Sequence, residues 1–265
     1  MAYTERPSGL VPGAVLWRAD GPAGTVLPDG CMDLLWVDGR LLVAGPDTRA
    51  HPAREVPGSG FAGIRFAPGA APALLGVPAY ELRDRRVELA GLSGLWPARE
   101  VRALAGRVAS YADPLAGLDA LARSRVVAPD PLIAEVVARL RAGETVARIA
   151  DTLGLGPRQL HRRSMAAFGY GAKTLGRVLR MQHALARVRA GDPYAEVAHS
   201  TGYADQAHLA REVRVLAGTT LTGYTAAATG GQAEGVDGAD GVDGVGGVDG
   251  ANRETPQPSG SSTTA

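Results

Sequence analysis

Between residues 130 and 225 the chain is similar to itself at a shift of 48 to 49 residues. Ala147-Arg148-Ile149-Ala150 and Gly154-Leu155 align with Ala195-Glu196-Val197-Ala198 and Gly202-Tyr203. With one residue added, Leu160, Arg162 and Gly169 then match Leu209, Arg211 and Gly218. A repeat of this length fixes a supersecondary unit used twice. In each copy a short helix carries apolar residues and a small alanine, a glycine takes the turn, and a second helix starts three to four residues later, the order of a helix-turn-helix.

Each residue has a physical reason to be there. Ala150 and Ala198 stand where two crossing helices approach closely, and Gly154 and Gly202 can take the left-handed conformation that ends a helix. Pro157 suits the first position of a helix, because it has no N–H to leave unpaired, and Asp205 is a good N-cap for the matching helix of the second copy.

If Leu160 points to the core, Arg158, His161 and Arg162 lie on the opposite side of their helix, flanked by Gln159 and Arg163. With Leu209 inward, Gln206, Ala207 and Arg211 face outward beside His208. Arginine can make two hydrogen bonds to guanine in the major groove, glutamine can pair with adenine, an alanine methyl can touch thymine, and spare basic groups can meet phosphates. Between the copies, residues 172–189 read as one helix with Leu175, Val178, Leu179, Gln182 and Leu185 in register. Eighteen residues span roughly 27 Å, a length suited to two readers in successive major grooves about 34 Å apart, with a bend in the DNA closing the gap.

Charge is segregated the same way. The whole chain carries +1, but residues 130–225 hold 13 Arg and Lys against 8 Asp and Glu, and residues 226–265 hold one Arg against 6 acids. A basic segment followed by an acidic tail fits a polyanion-binding domain with a solvated end. The tail, with Gly235-Val236-Asp237-Gly238 and two further Val-Asp-Gly units, is too poor in large apolar groups to offset ordering entropy and is expected to be disordered.

Residues 1–92 read as mainly strand. Leu34–Val37, Asp38-Gly39 and Arg40–Val43 form two β-prone runs on a two-residue turn, a hairpin. Further runs at Ala14–Arg18 and Phe61–Phe66 point to a small sandwich or barrel. Residues 93–126 change to helical spacing, with Val101, Leu104, Ala105 and Val108, then Leu115, Leu118, Leu121 and Ala122. These connector helices are expected under the sheet or in a homodimer contact, with a proline-containing linker at 127–131. The class is α+β, a mainly-β domain followed by an all-α domain with two helix-turn-helix units.

The segment from Leu132 to Tyr224 resembles the AraC/XylS family DNA-binding domain. The resemblance rests on Pro157-Arg158-Gln159-Leu160-His161-Arg162-Arg163, on Leu179-Arg180-Met181 with Ala184, and on Ala195–Ala198 with Gly202–Arg211, Gly218 and Tyr224. It implies a transcription activator or repressor with Arg158, His161, Arg162, Gln206, Ala207 and Arg211 facing bases, and with RNA polymerase as a candidate protein partner. Ser164 and Val213 depart from the family, which usually has phenylalanine there; Gly156 replaces a usual serine cap, and Thr220-Leu221 a usual Ser-Pro. Smaller core residues cost packing free energy unless neighbours such as Met165 and Phe168 repack. The N-terminal region resembles an uncharacterised domain found ahead of such readers, through Leu27–Leu34, Ala44-Gly45-Pro46 and Gly63–Gly69. That resemblance implies a cupin-like sensing domain for an unnamed small-molecule effector.

Other residues invite chemistry and have plainer readings. Cys31, the single cysteine, excludes an internal disulfide and reads as structural, with no basic neighbour to make it a redox or alkyl acceptor. His51 has no partner at metal spacing, so no metal and no cofactor are expected. Asp29, Asp33 and Arg65 are candidates to line a ligand pocket, whereas Trp17 and Trp36 read as core. The five histidines are scattered, four of them in the helical part, which disfavours an enzyme. The competing readings are a cupin-like enzyme, or a small-molecule-binding protein with a degenerate DNA-binding domain. A protein-binding module would need an apolar groove in place of two arginine-bearing faces. With no basic start followed by an apolar stretch, and no apolar run near the ~20 residues of a membrane helix, a cytoplasmic protein off the membrane is expected.

Overall fold

The computed structural model describes residues 3–20, 24–53, 60–92, 96–125 and 130–230. Its first part is a six-stranded antiparallel sheet in the order β1-β2-β7-β4-β5-β8, formed by Tyr3–Pro7 (β1), Val15–Ala19 (β2), Met32–Val37 (β4), Arg40–Ala44 (β5), Phe61–Phe66 (β7) and Arg86–Glu88 (β8). Thr25–Val26 (β3) and His51–Pro52 (β6) make a separate two-stranded ribbon. The hairpin read at Asp38-Gly39 is present: Leu34 pairs with Val43 and Trp36 with Leu41, and both turn residues have positive φ. Among the described residues the strands thus form one dominant sheet and a short ribbon, not two matched sheets or a closed barrel.

Alternation along β4 gives the sheet two working faces. Leu34 joins Leu16, Val43 and Ile64 on one face, under helices α1 (Ala71–Leu75), α2 (Ala98–Ala109) and α3 (Pro114–Arg125). Leu35 and Val37 join Leu42, Ala44 and Phe61 on the other, with Trp17 beside them. Val101, Leu104, Val108, Leu115, Leu118 and Leu121 all belong to the first core. The connector helices are therefore part of the β-domain, and the apolar stripe that suggested a dimer contact is spent inside one chain. The linker expected at 127–131 falls mostly outside the described residues.

The second part holds α4 (Pro131–Arg141), α5 (Val146–Thr152), α6 (Pro157–Phe168), α7 (Ala172–Arg189), α8 (Tyr194–Ser200), α9 (Gln206–Ala217) and α10 (Leu221–Gly230). It has two cores, as a duplicated unit should. Ile149, Ala150, Leu160 and Phe168 pack with α4 and the first half of α7, and Val197, Ala198, Leu209 and Val213 pack with the second half of α7. One helix thus carries both units. Helix α10 continues to Gly230, five residues into the expected tail; residues 231–265 lie outside the described ones.

Candidate nucleic-acid interface

In the first unit α5 ends at a left-handed Gly154 (φ +63°), and α6 starts at Pro157. In the second, α8 ends at a left-handed Gly202 (φ +79°), and the Asp205 carboxylate accepts from the His208 N–H at 2.6 Å, capping α9. The two turns therefore match in backbone form while their caps differ: Gly156 offers α6 no side-chain acceptor.

Leu160 and Leu209 are both fully buried, which turns the opposite sides of α6 and α9 outward. Arg158, Gln159, His161 and Arg162 are exposed on α6, and Gln206, Ala207 and Arg211 on α9. Two flanking residues have partners within the chain. Arg163 is half-buried and contacts Asp130 at 3.4 Å. His208 packs edge-on against Tyr203 at 5.2 Å, with its Nδ1 accepting from the Ala204 N–H at 3.3 Å. His161 lies beside the start of α7, where a Cβ at Gly171 would come within 3.1 Å of its ring.

Sequence reasoning missed what orients the second reader. Arg177 of α7 donates twice to Glu212 of α9, both at 2.9 Å, and these bonds hold the Glu212 carboxyl below its ordinary range. Arg180, one turn on, lies 4.9 Å over the ring of Tyr203. The signal in the sequence was two arginines on the linking helix three apart, which read equally well as solvated charge.

The β-domain grips both units. A Cβ at Gly69 would come within 2.5 Å of Ile133 and 3.0 Å of Phe168, and one at Gly169 within 2.7 Å of Pro46. Arg83 donates to the Gly169 carbonyl at 3.3 Å. On the second unit, Gln182 donates to the Pro28 carbonyl at 2.6 Å, Ala50 N–H donates to the Leu216 carbonyl at the end of α9 at 2.8 Å, and Leu27 packs on the second core.

Asp29, Asp33 and Arg65 are brought together. The Arg65 Nε lies 3.3 Å from an oxygen of each carboxylate, and Asp33 accepts from the Trp17 indole N–H at 2.6 Å. They line a cavity of about 670 Å³ between the outer face of the sheet, the ribbon and the second helix-turn-helix unit. Burial pushes the Asp33 carboxyl up, against the pull of Arg65, and pushes the Cys31 thiol well up. Both tryptophans are partly buried against a core, as expected, Trp36 on the one beneath the sheet and Trp17 on the one across its outer face, and Trp17 in addition lines this cavity. Cys31 stands just before β4, half-buried on the cavity wall. His51 Nε2 lies 2.6 Å from Asp47. Among the described residues no group of three or more His, Cys, Asp or Glu could hold a metal ion, and no helix is long and apolar enough to cross a membrane.

Residues 149–227 match the family described as Helix-turn-helix domain, across α5 to α10. The C-terminal part is an AraC-type helix-turn-helix domain. Residues 14–88 match a domain of unknown function, DUF6597, which takes in every strand of the sheet but β1. No curated protein matches the chain. Among solved structures, a probable AraC family transcriptional regulator from Rhodopseudomonas palustris is similar at 20% identity and a TM-score of 0.33, over 37% of this chain and 98% of that one. ToxT from Vibrio cholerae is similar at 8% identity and a TM-score of 0.43, over 84% of this chain and 98% of that one. ToxT bound to an unsaturated fatty acid is similar at 8% identity and a TM-score of 0.41, over 84% and 94%. The helix-turn-helix match makes residues 149–227 the DNA-binding part of the chain.

Proposed function

We propose that this regulator reads DNA with α6 and α9 in successive major-groove segments, Arg158, His161, Arg162, Gln206, Ala207 and Arg211 facing bases and Gln159, Arg163 and His208 flanking them. The observation that carries the reading is the pair of exposed polar faces, each on a helix anchored by a fully buried leucine and each preceded by a left-handed glycine turn. Both sit on the single 18-residue helix α7. Such faces supply donors and acceptors for base edges, and surrounding arginines supply phosphate contacts. The N-terminal domain senses a small molecule in its cavity and passes the state to the readers. RNA polymerase is the protein partner a regulator of this class would contact.

Selection of binding sites from a random DNA library at a stated salt concentration tests the DNA reading. Two enriched blocks about one helical turn apart are expected from the full chain, and an unenriched pool from the folded protein overturns it.

A further inference from the structure

The β-domain holds the two helix-turn-helix units in different ways. Against the first unit the contact is closed: Gly69 sits on Ile133 and Phe168, and Gly169 sits on Pro46, with no room for even a methyl group. Against the second unit the contact is hollow. The 670 Å³ cavity has the outer face of the sheet as its floor, while Gln182 and Arg189 of α7 and Tyr224 of α10 close it from the DNA-reading side. A molecule entering this space touches the second unit directly and reaches the first only through packed protein.

The floor and wall indicate the chemistry of that molecule. Trp17 lies flat on the sheet because residue 63 is glycine, since a Cβ there would stand 2.4 Å from the indole. Tyr3 stacks on it at 6.1 Å, and Leu35 and Phe61 continue an apolar surface. On the wall one guanidinium, Arg65, serves two carboxylates, Asp29 and Asp33. The neighbouring Asp47 has its own arginine, Arg86, at 2.6 and 2.7 Å, and Glu5 and Arg189 at the rim are opposite in sign. The described wall therefore carries one carboxylate more than it carries guanidinium. Away from bulk water an uncompensated charge is costly, an anion would add to it, and a cation would relieve it, in a cavity whose aromatic floor already holds one cation, Arg65, 6.0 Å over the Trp17 ring.

We propose that this cavity binds a small cation with a flat apolar body, and that its occupancy is read by the second helix-turn-helix unit. The coupling runs through three contacts at the cavity edge: Gln182 to the Pro28 carbonyl, next in sequence to Asp29, Leu27 on the second core, and Ala50 to the end of α9. An occupant that shifts residues 27–29 shifts the seat of α9 through all three contacts, and meets the first unit only at Gly30, where a Cβ would stand 2.6 Å from Leu175, while α6 keeps its own contacts at Gly69 and Gly169. The inference rests on the proposed ligand control of the DNA reader.

Benzamidine and benzoate, the same ring with opposite charge, serve as probes with the full chain. Titration calorimetry without DNA tests the site alone. Saturable benzamidine binding is expected, weakened at least about tenfold in Asp33→Asn, with benzoate unbound over the same range. Asp29→Asn, at a more exposed carboxylate, gives the same readout should Asp33→Asn fold poorly. Absence of benzamidine binding, equal binding of benzoate, or an indifferent Asp33→Asn and Asp29→Asn overturns the ligand class. Operators selected without ligand are then used with one block scrambled at a time. Saturating benzamidine is expected to change affinity several-fold only where the second block is intact; equal change on both, or none, overturns the coupling. A failure of site selection without ligand would instead count against the DNA reading.

Discussion

The two helix-turn-helix units share a plan and differ in what holds and arms them. The first presents Arg158, His161 and Arg162 from an uncapped helix and is seated on the β-domain by close contacts at Gly69 and Gly169. The second presents Gln206, Ala207 and Arg211 from a helix capped by Asp205, and is braced by Arg177–Glu212 and by hydrogen bonds at the edge of a cavity. A duplicated module has thus been divided. The more basic copy is the closely seated one, suited to supplying affinity, and the less basic copy is the one that borders a cavity, where the proposed occupant would act.

The comparison breaks most severely at Phe168. Its ring fills the first core, is 1% exposed and also meets the loop at Gly69. Phe168→Ala is expected to cost about 3–5 kcal/mol in chemical denaturation and to loosen the fixed seat. A loss under about 1 kcal/mol would mean that the first unit is not anchored there. Next is the reading itself: Arg162→Ala should cost about 1–3 kcal/mol of binding and relax base preference at one position in the first block, while Gln206→Ala relaxes one in the second. Site selection with each variant checks this, and relaxation in the opposite block would reverse the assignment.

How much of this division was legible depends on the range of the interaction. The turns, the caps and the outward faces of α6 and α9 follow from residues within four of one another, and the repeat printed them twice. The Asp38-Gly39 hairpin is equally local. The expectation of matched sheets or a barrel failed because strand runs do not reveal how many strands join one sheet. The stripe from Val101 to Leu121 showed only that something apolar covers it, not whether that is this chain or another. For the cavity, Asp29, Asp33 and Arg65 were singled out, but its far wall comes from Gln182, Arg189 and Tyr224, more than 100 residues away. A glutamine in register with the apolar stripe of α7 was the one local trace of that wall.

A smaller effect separates the units by pH. Glu212 has Arg177, Arg180 and His208 around it, with the buried Tyr203 nearby, and its carboxyl is held below the ordinary range chiefly by the Arg177 hydrogen bonds. A depressed carboxyl contributes stability that is present above its unfolded pKa of about 4.3 and is lost as pH falls through the folded value. Glu212→Gln should cost about 1–2 kcal/mol at neutral pH for this half-buried pair and should remove that share of the acid sensitivity. Equal acid sensitivity in the variant would mean that the brace contributes little to the second unit.

The smallest effect concerns Ser164 and Val213, which occupy matching places on α6 and α9 and are both 0% exposed. Val213 is content in an apolar core, whereas the Ser164 hydroxyl is buried without a hydrogen-bond partner. An unmet buried hydroxyl costs on the order of 1–3 kcal/mol against an apolar group of similar shape, part of which a helical serine can recover by approaching the carbonyl one turn back. Ser164→Ala removes the hydroxyl, leaves little void, and suits a helix interior better. It should therefore raise stability by about 1 kcal/mol, measured by denaturant midpoint at constant slope, with Val213→Ala falling by a similar or larger amount. Stabilisation without loss of DNA affinity would show that the first core tolerates the serine at a cost unrelated to reading. Loss of affinity in a more stable protein would show that the softer core lets α6 adjust in the groove, and the fixed unit would then be fixed only at its junction with the β-domain.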